Sequence, residues 1–174
     1  YSSMVARELG WDSKATQTKI IMAGLLHDIG FREIDMNILY TPRDRLTPAE
    51  VKIYESHTTR GRDILKNMPE IHTDILQAVM QHHENEIGTG FPAMIRKEEV
   101  HPLAKIIGVV NHFCESILKT PYHSAQEIRI ALPNLVKLYQ NEFDSIYLAA
   151  LFKLFGLYVP AELEKRLEDR KKTG

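Results

Sequence analysis

Apolar residues recur every three or four positions along most of this 174-residue chain, which is the spacing of one face of an α-helix. No segment alternates apolar and polar residues in the manner of a half-buried strand. The pattern therefore predicts an all-α fold, a single domain over residues 1–174 formed by a bundle of about six to eight helices. Residues 2–9 have the pattern of the last turns of a helix closed by Gly10, so we expect further protein upstream of Tyr1.

Capping residues and prolines set the expected ends of the helices. Thr47-Pro48-Ala49-Glu50 combines an N-cap threonine, a proline at the first helical position and a glutamate suited to a capping box, and predicts a helix to about Asn67. Ser124-Ala125-Gln126-Glu127 predicts a second capping box, and Pro133 should kink or divide the helix that follows. The other helices are expected at residues 12–27, 71–83, 102–119 and 145–155 and from Pro160, with a glycine- and proline-containing loop at 84–99.

Composition places the chain among ordinary globular domains and excludes several function classes. Hydrophobic residues make up 44% and charged residues 26%, and the formal net charge is −1, so no overall field attracts DNA or an anionic membrane. No apolar run approaches the ~20 residues of a membrane-spanning helix, and we expect no signal peptide. Cys114 is the only cysteine, which excludes a disulfide framework within the chain. We expect a cytoplasmic protein without DNA binding or membrane insertion.

Six polar residues fall on helix faces that the pattern predicts to be buried. They are His27, Asp28, His57, His82, His83 and Asn111. A buried polar group without a partner is costly, but a metal ion would neutralise and coordinate such a set, because imidazole and carboxylate groups are metal ligands. The two oxygens of Asp28 would suit a bridge between two cations. The alternative is a buried hydrogen-bonded network of histidine and aspartate without metal.

The position of His57 depends on the helix expected after Thr47. Along that helix His57 shares an apolar stripe with Ile53, Gly61 and Leu65, so its ring should point into the bundle. The remaining histidines lie near helix starts, in loops or off the apolar stripes, and are predicted to be surface residues. They are His72, His101, His112 and His123.

The inward-facing residues lie within motifs that resemble those of the HD-domain metal-dependent phosphohydrolases, and in particular the HD-GYP family. LLHDIG resembles the HD motif, SHTTRGRDIL is similar to H-P-x-x-G-x-x-I-L, and HHENEIGTGFP is similar to H-H-E-R-x-D-G-x-G-Y-P. ILYTPRDRLTPAE resembles I-L-x-K-P-G-x-L-T-x-x-E with one extra residue, and LAKIIGVVNHF resembles A-R-I-x-x-V-A-D-x-F. The motifs follow the family's order over about residues 4–125.

The resemblance implies an HD-type helical bundle around a metal site and a bacterial phosphodiesterase that hydrolyses cyclic di-GMP. It implies two divalent cations, iron first and manganese second, with a bridging hydroxide that attacks phosphorus in line. His27 and Asp28 would be the catalytic pair and bind the first metal together with Asn111. Asp28 would bridge to a second metal held by His57, His82 and His83.

The resemblance also indicates where a cyclic dinucleotide would bind. The candidate substrate-binding residues are Gly88, Gly90, Phe91, Pro92 and Lys105. The loop that contains the first four is in addition a candidate docking segment for signalling proteins. A further histidine of the family would lie upstream of Tyr1.

The chain departs from the family pattern mainly at positions that would hold the substrate. Phe31 replaces the lysine after H-D-I-G, Asn85 and Ile87 replace an arginine and an aspartate, and Phe91 replaces the tyrosine that names the family. Asn111 replaces an aspartate expected to bind metal. Three functions stay open: a divergent cyclic di-GMP phosphodiesterase, a metal-binding receptor or signalling module without turnover, and an HD hydrolase of another phosphoester.

Overall fold

The structure, a computed structural model, describes residues 1–119 and 124–173, and all regular structure in these ranges is helical, which confirms the predicted all-α fold. The α-helices are α1 (Ser2–Glu8), α2 (Lys14–Leu26), α3 (Met36–Leu39), α4 (Pro48–Glu55), α5 (His57–Leu65), α6 (Thr73–Gln81), α7 (Pro102–Ile117), α8 (Ile128–Tyr139), α9 (Ser145–Leu154) and α10 (Ala161–Thr173). Short 3-10 turns occupy Ile29–Glu33, Arg43–Arg45 and Lys97–Glu99. None of the described helices has the length and apolar character needed to cross a lipid bilayer.

Helix α7 lies at the centre of the bundle. It contacts α1, α2, α6, α8 and α9. Ile106 and Phe113 on this helix are fully buried, and each such side chain contributes about 1.5–3 kcal/mol of burial free energy. His101 caps the helix by accepting a hydrogen bond from the Leu103 amide at 3.2 Å. Because α2 and α6 pack against α7, their C-terminal ends meet at one end of the bundle.

The helix predicted from Thr47 to Asn67 is divided into α4 and α5, so that prediction is wrong. Its start is as expected, because Glu50 and Thr47 form the reciprocal capping box. The Ser56 hydroxyl donates to the Ile53 carbonyl at 2.6 Å, a local hydrogen bond that competes with the regular helix at the point of division. Ile53 is 39% exposed, so it does not share a buried stripe with His57.

The second capping box is also wrong. Helix α8 begins at Ile128, with Glu127 as an N-cap that makes no side-chain capping bond. Pro133 lies inside α8 without dividing it. Proline removes one backbone hydrogen bond there, and the burial of Leu132 and Leu135 favours the helix despite that loss.

Two glycines allow neighbouring segments to approach the backbone of two candidate ligands very closely. A Cβ atom on Gly30, in the turn Ile29–Glu33, would lie 1.9 Å from the carbonyl oxygen of His57. A Cβ atom on Gly90 would lie 2.2 Å from the carbonyl oxygen of His83. Both obstacles are backbone atoms, so no side-chain rotation relieves the clash, and only glycine fits at either position.

Candidate metal centre

Four of the predicted metal ligands converge at one end of the bundle. The ligand atoms of Asp28, His57, His82 and His83 all lie within 4.8 Å of one another. One Asp28 oxygen is 3.4 Å from Nε2 of His57 and 3.5 Å from Nε2 of His82, and these two nitrogens are 3.3 Å apart. Ligands of a single cation at metal–ligand distances of about 2.0–2.2 Å have separations of this order.

Backbone carbonyls orient the rings of three histidines in this region. The Nδ1-to-carbonyl distances are 2.9 Å for His27 to Gly24, 2.7 Å for His57 to Tyr54 and 2.7 Å for His82 to Val79. Since a carbonyl only accepts, each Nδ1 carries the hydrogen, which leaves the Nε2 lone pair free. That is the tautomer a histidine needs to bind a metal through Nε2.

Two buried atoms in this region have no hydrogen-bond partner, namely Nε2 of His27 and Oδ1 of Asp28. Nε2 of His27 lies 3.1 Å from the other Asp28 oxygen without the alignment of a hydrogen bond. Unpartnered lone pairs that are buried beside one another are costly unless a cation lies between them. The residues present therefore fit a bound metal.

Electrostatics favours the protonation states that bind cations at Asp28, His57, His82 and His83. Burial, together with the neighbouring His82, lowers the pKa of His57 to about 4. Burial also lowers the pKa of His82 and of His83. Burial opposes ionisation of Asp28, but the neighbouring side chains of His27 and His82 outweigh it and hold the pKa of this carboxyl well below its ordinary value. For His27, the Asp28 carboxylate outweighs burial and raises the pKa.

Asn111 lies beside His27 and outside the four-residue cluster. Both residues line a cavity of about 320 Å³ formed by α1, α2 and α7. The Asn111 amide donates from Nδ2 to Oε1 of Glu115 at 3.0 Å, which fixes the orientation of the side chain. Its role as a ligand of a first metal stays a prediction.

The loop after His83 brings part of the predicted substrate-binding set to the metal ligands. Phe91 stacks on His83 with ring centroids 4.4 Å apart and an interplanar angle of 22°. Gly90 and Phe91 line a cavity of about 160 Å³ together with His83, and Pro92 follows half-buried. Gly88, with φ of +73°, packs against a side chain of its own loop.

Lys105 lies away from this cavity. Its Nζ atom forms an ion pair with Oε1 of Glu86 at 2.7 Å, and both side chains are largely buried. The loop is further held by Glu84, whose carboxylate accepts hydrogen bonds from the amides of Ala93 at 2.6 Å and Ile95 at 3.1 Å. The structure thus places Lys105 in the support of the loop and does not bring it to the histidines.

Phe31 covers one face of a candidate ligand. Its ring stacks on His57 with centroids 4.0 Å apart and an interplanar angle of 24°. It also contacts the ring of Tyr54 at 5.1 Å. An apolar contact therefore stands where the family pattern has a lysine.

His112 was predicted to be a surface residue, and this is wrong. Its ring is half-buried, its centroid lies 6.2 Å from that of His83, and it packs edge-on against Tyr139 and Phe143. The sequence contained a usable indication, because α7 is apolar around most of its circumference. A residue off one stripe of such a helix is not thereby exposed. His123 lies outside the described residues.

Sequence reasoning also missed Arg43. Its side chain lines the same cavity as His82, His83 and His112. Nothing in the run Arg43-Asp44-Arg45 distinguishes this arginine from an ordinary solvated one, so only the folded chain identifies it.

Known proteins resemble this chain over most of its length. The HD domain family matches residues 1–146. A cyclic di-GMP phosphodiesterase of Thermotoga maritima is 31% identical over 88% of this chain and 41% of its own length. A 3'3'-cGAMP-specific phosphodiesterase of Vibrio cholerae is 29% identical over 90% of this chain and 34% of its own length. A cyclic di-GMP phosphodiesterase of Pseudomonas aeruginosa is 28% identical over 84% of this chain and 35% of its own length. The chain thus spans 34–41% of the length of these relatives.

A solved structure shares the fold. An HDG"Y"P protein of Bdellovibrio bacteriovorus superposes with a TM-score of 0.73 over 89% of this chain and 49% of that chain, at 22% identity. The match over residues 1–146, the cyclic dinucleotide phosphodiesterase relatives and the shared helical bundle confirm the resemblance seen in the motifs. The chain belongs to the HD domain family.

Proposed function

We propose that the chain is the catalytic domain of a metal-dependent phosphodiesterase that hydrolyses a cyclic dinucleotide, with cyclic di-GMP as the first candidate, in the bacterial cytoplasm. The observation that carries this proposal is the cluster of Asp28, His57, His82 and His83, whose ligand atoms lie within 4.8 Å of one another beside a loop-lined cavity. The substrate class comes from the relatives, two of which are named for cyclic di-GMP and one for 3'3'-cGAMP.

We assign two divalent cations to the site, iron first and manganese second. One would lie within the four-residue cluster. The other would be held by His27, Asn111 and the second oxygen of Asp28, and the unpartnered Nε2 atom of His27 supports this second position. A mixed set of imidazole nitrogens and carboxylate or amide oxygens suits Fe(II) and Mn(II).

Bound there, the cations would supply Lewis-acid chemistry: activation of water at neutral pH and stabilisation of charge developing on the phosphoryl oxygens. The chain's own residues hold the donors ready for this role. Asp28 is ionised, and His57 is kept neutral by burial and oriented by the Tyr54 carbonyl. Phe91, stacked on His83, covers one face of this ring.

A second candidate is a metal-binding receptor for the same ligand that does not hydrolyse it and signals to proteins through the loop at residues 88–92. Phe31 favours this candidate, because an aromatic ring lies against His57 where a cation would hold phosphate. Asn111 favours it as well, because a neutral amide is a weaker metal ligand than a carboxylate. A third candidate is hydrolysis of a different phosphoester.

The experiment loads the protein anaerobically with Fe(II) or Mn(II) and adds cyclic di-GMP, 3'3'-cGAMP and a panel of mono- and dinucleotides. Metal-dependent release of linear pGpG or GMP, abolished in an Asp28→Asn variant and retained in Asp35→Asn, is the expected result. Calorimetric binding of cyclic di-GMP without turnover by a fully metallated sample would select the receptor instead. Turnover of another substrate alone would select the third candidate.

A further inference from the structure

Arg43 is placed at the mouth of the cavity that reaches the histidine cluster. Its guanidinium carbon lies 5.3 Å from the ring centre of Phe91 and 5.7 Å from that of Tyr54. Both distances are within the range of about 6 Å over which a cation is attracted to an aromatic face. Phe91 itself stacks on His83, so the guanidinium and a candidate metal ligand both lie against the Phe91 ring.

The same side chain is fixed from the solvent side. One terminal nitrogen of Arg43 pairs with the Glu55 carboxylate at the end of α4. A guanidinium has five N–H donors, so this pairing leaves donors for a second anion. The Arg43 side chain is half-exposed; an incoming ligand can therefore reach it without displacing the core.

The charges around the cavity make Arg43 its main site for an anion. Among the described residues that line the cavity, it is the only arginine or lysine. The carboxylate of Glu84 is occupied by two loop amides. The carboxylate of Glu142 accepts a hydrogen bond from the Asn85 amide at 3.2 Å.

We propose that Arg43 binds the phosphodiester of the substrate through its non-bridging oxygens and thereby sets specificity for a phosphate anion at this cavity. The inference rests on the proposed function. The planar guanidinium can bind two phosphate oxygens at once, which a lysine cannot do. Phe31, which stacks on His57, carries no charge, so the positive charge comes from the turn Arg43–Arg45 instead.

The test compares Arg43→Ala and Arg43→Lys with Arg45→Ala as the matched control. Arg45 lies on the same turn, is exposed, and does not line the cavity. With manganese-loaded protein and cyclic di-GMP, Arg43→Ala should raise KM about tenfold or more while kcat changes by less than about threefold, as expected for the loss of a charged hydrogen bond made to bound substrate. The KM of Arg43→Lys should lie between those of the wild type and Arg43→Ala. The KM of Arg45→Ala should stay within about twofold of the wild-type value.

Two further readouts separate ligand binding from a structural role. Metal content and thermal midpoint of Arg43→Ala should equal those of the wild type. Added salt should raise KM more steeply in the wild type than in Arg43→Ala, because salt screens a charge contact at a half-exposed site. A KM for Arg43→Ala equal to that of Arg45→Ala would overturn the inference while leaving the proposed function intact.

If the wild type hydrolyses nothing, the proposed function is refuted. The role of Arg43 is then tested by calorimetric binding of cyclic di-GMP and of inorganic phosphate to the same metal-loaded proteins. Binding that is weakened in Arg43→Ala and retained in Arg45→Ala would support the assignment of Arg43. Equal binding by both variants, or no binding by the wild type, would overturn it.

Discussion

The Nε2 atoms of His57 and His82 lie 3.3 Å apart in the interior of the bundle. Both rings already donate through Nδ1 to backbone carbonyls, so the two facing nitrogens each present a lone pair. Two lone pairs at this distance repel unless a proton or a cation lies between them. The low pKa of His57 disfavours the proton, and the arrangement favours a cation.

Metal removal should therefore destabilise the protein. At a free metal concentration of 100 times Kd, binding contributes about 2.7 kcal/mol, which corresponds to a shift in thermal midpoint of roughly 5–10 °C for a chain of this length. Chelation should lower the midpoint by this amount, and Mn(II) should restore it, as measured by differential scanning calorimetry. The restoration should be lost in His82→Ala and kept in His72→Ala, an exposed histidine outside the cluster. An equal response of both variants would contradict the assignment.

A methyl group at Gly30 should damage the fold and the site together. Its Cβ would lie 1.9 Å from a backbone oxygen, so Gly30→Ala should lower the free energy of unfolding by about 1–3 kcal/mol or more. The substitution should also weaken metal binding, because Asp28 precedes the displaced turn. Gly24→Ala is the matched control: its Cβ would meet Ile107 at an ordinary 3.5 Å within α2, and alanine favours a helix interior by about 0.5–1 kcal/mol. Urea unfolding should therefore give opposite signs for the two variants.

The metal-free protein should lose stability as the pH falls from about 6.5 to about 4. In this window an unfolded chain protonates His57, whose ordinary pKa is 6.5, whereas the folded protein keeps it neutral down to about 4. The unfolded state then binds more protons, so the free energy of unfolding decreases as the pH is lowered. His57 accounts for up to about 3 kcal/mol of this decrease. The lowered pKa values of His82 and His83 act in the same direction. His27, with a raised pKa, opposes them.

Urea unfolding of wild type and His57→Leu at pH 7 and pH 5 measures this effect. The loss of stability between the two pH values should be smaller in the variant. The same loss in both proteins would show that His57 is protonated in the folded state.

A lysine in place of Phe31 should improve substrate binding. The Phe31 ring occupies the face of His57, and a lysine there would add a cation near the proposed phosphate position. Phe31→Lys should lower KM for cyclic di-GMP several-fold in the metal-loaded protein. Phe31→Leu serves as the control, since it removes the stacked ring without adding charge and should not lower KM. A KM that is unchanged or higher in Phe31→Lys would indicate that the ring itself holds the ligand.

Helical periodicity predicted the all-α fold and placed Asp28, His57, His82 and His83 toward the interior, where the structure brings their ligand atoms together. The position of His57 was predicted for a partly wrong reason, since α4 and α5 are separate helices and Ile53 is exposed. The turn after Asp28 places His57 through the contact of Gly30 with α5, and such a contact between distant segments leaves no periodic trace.

His112 and Arg43 were missed for a related reason. The burial of His112 depends on Tyr139 and Phe143, which come from another part of the chain. The orientation of Arg43 depends on Glu55, Tyr54 and Phe91. Neither residue has a local pattern that distinguishes it from a surface residue, so three-dimensional packing was needed to identify them.

The backbone-to-backbone contact at Gly30 has an implication for how specificity could change in this fold. The segment carrying His27 and Asp28 is fixed by main-chain atoms, whereas Arg43 and Phe91 line the cavity and Phe31 covers His57 through their side chains alone. Side chains of that kind can be exchanged without moving the donors of the metal centre. One rigid centre can thus be combined with different cavity walls, and each wall would select a different phosphoester for the same chemistry.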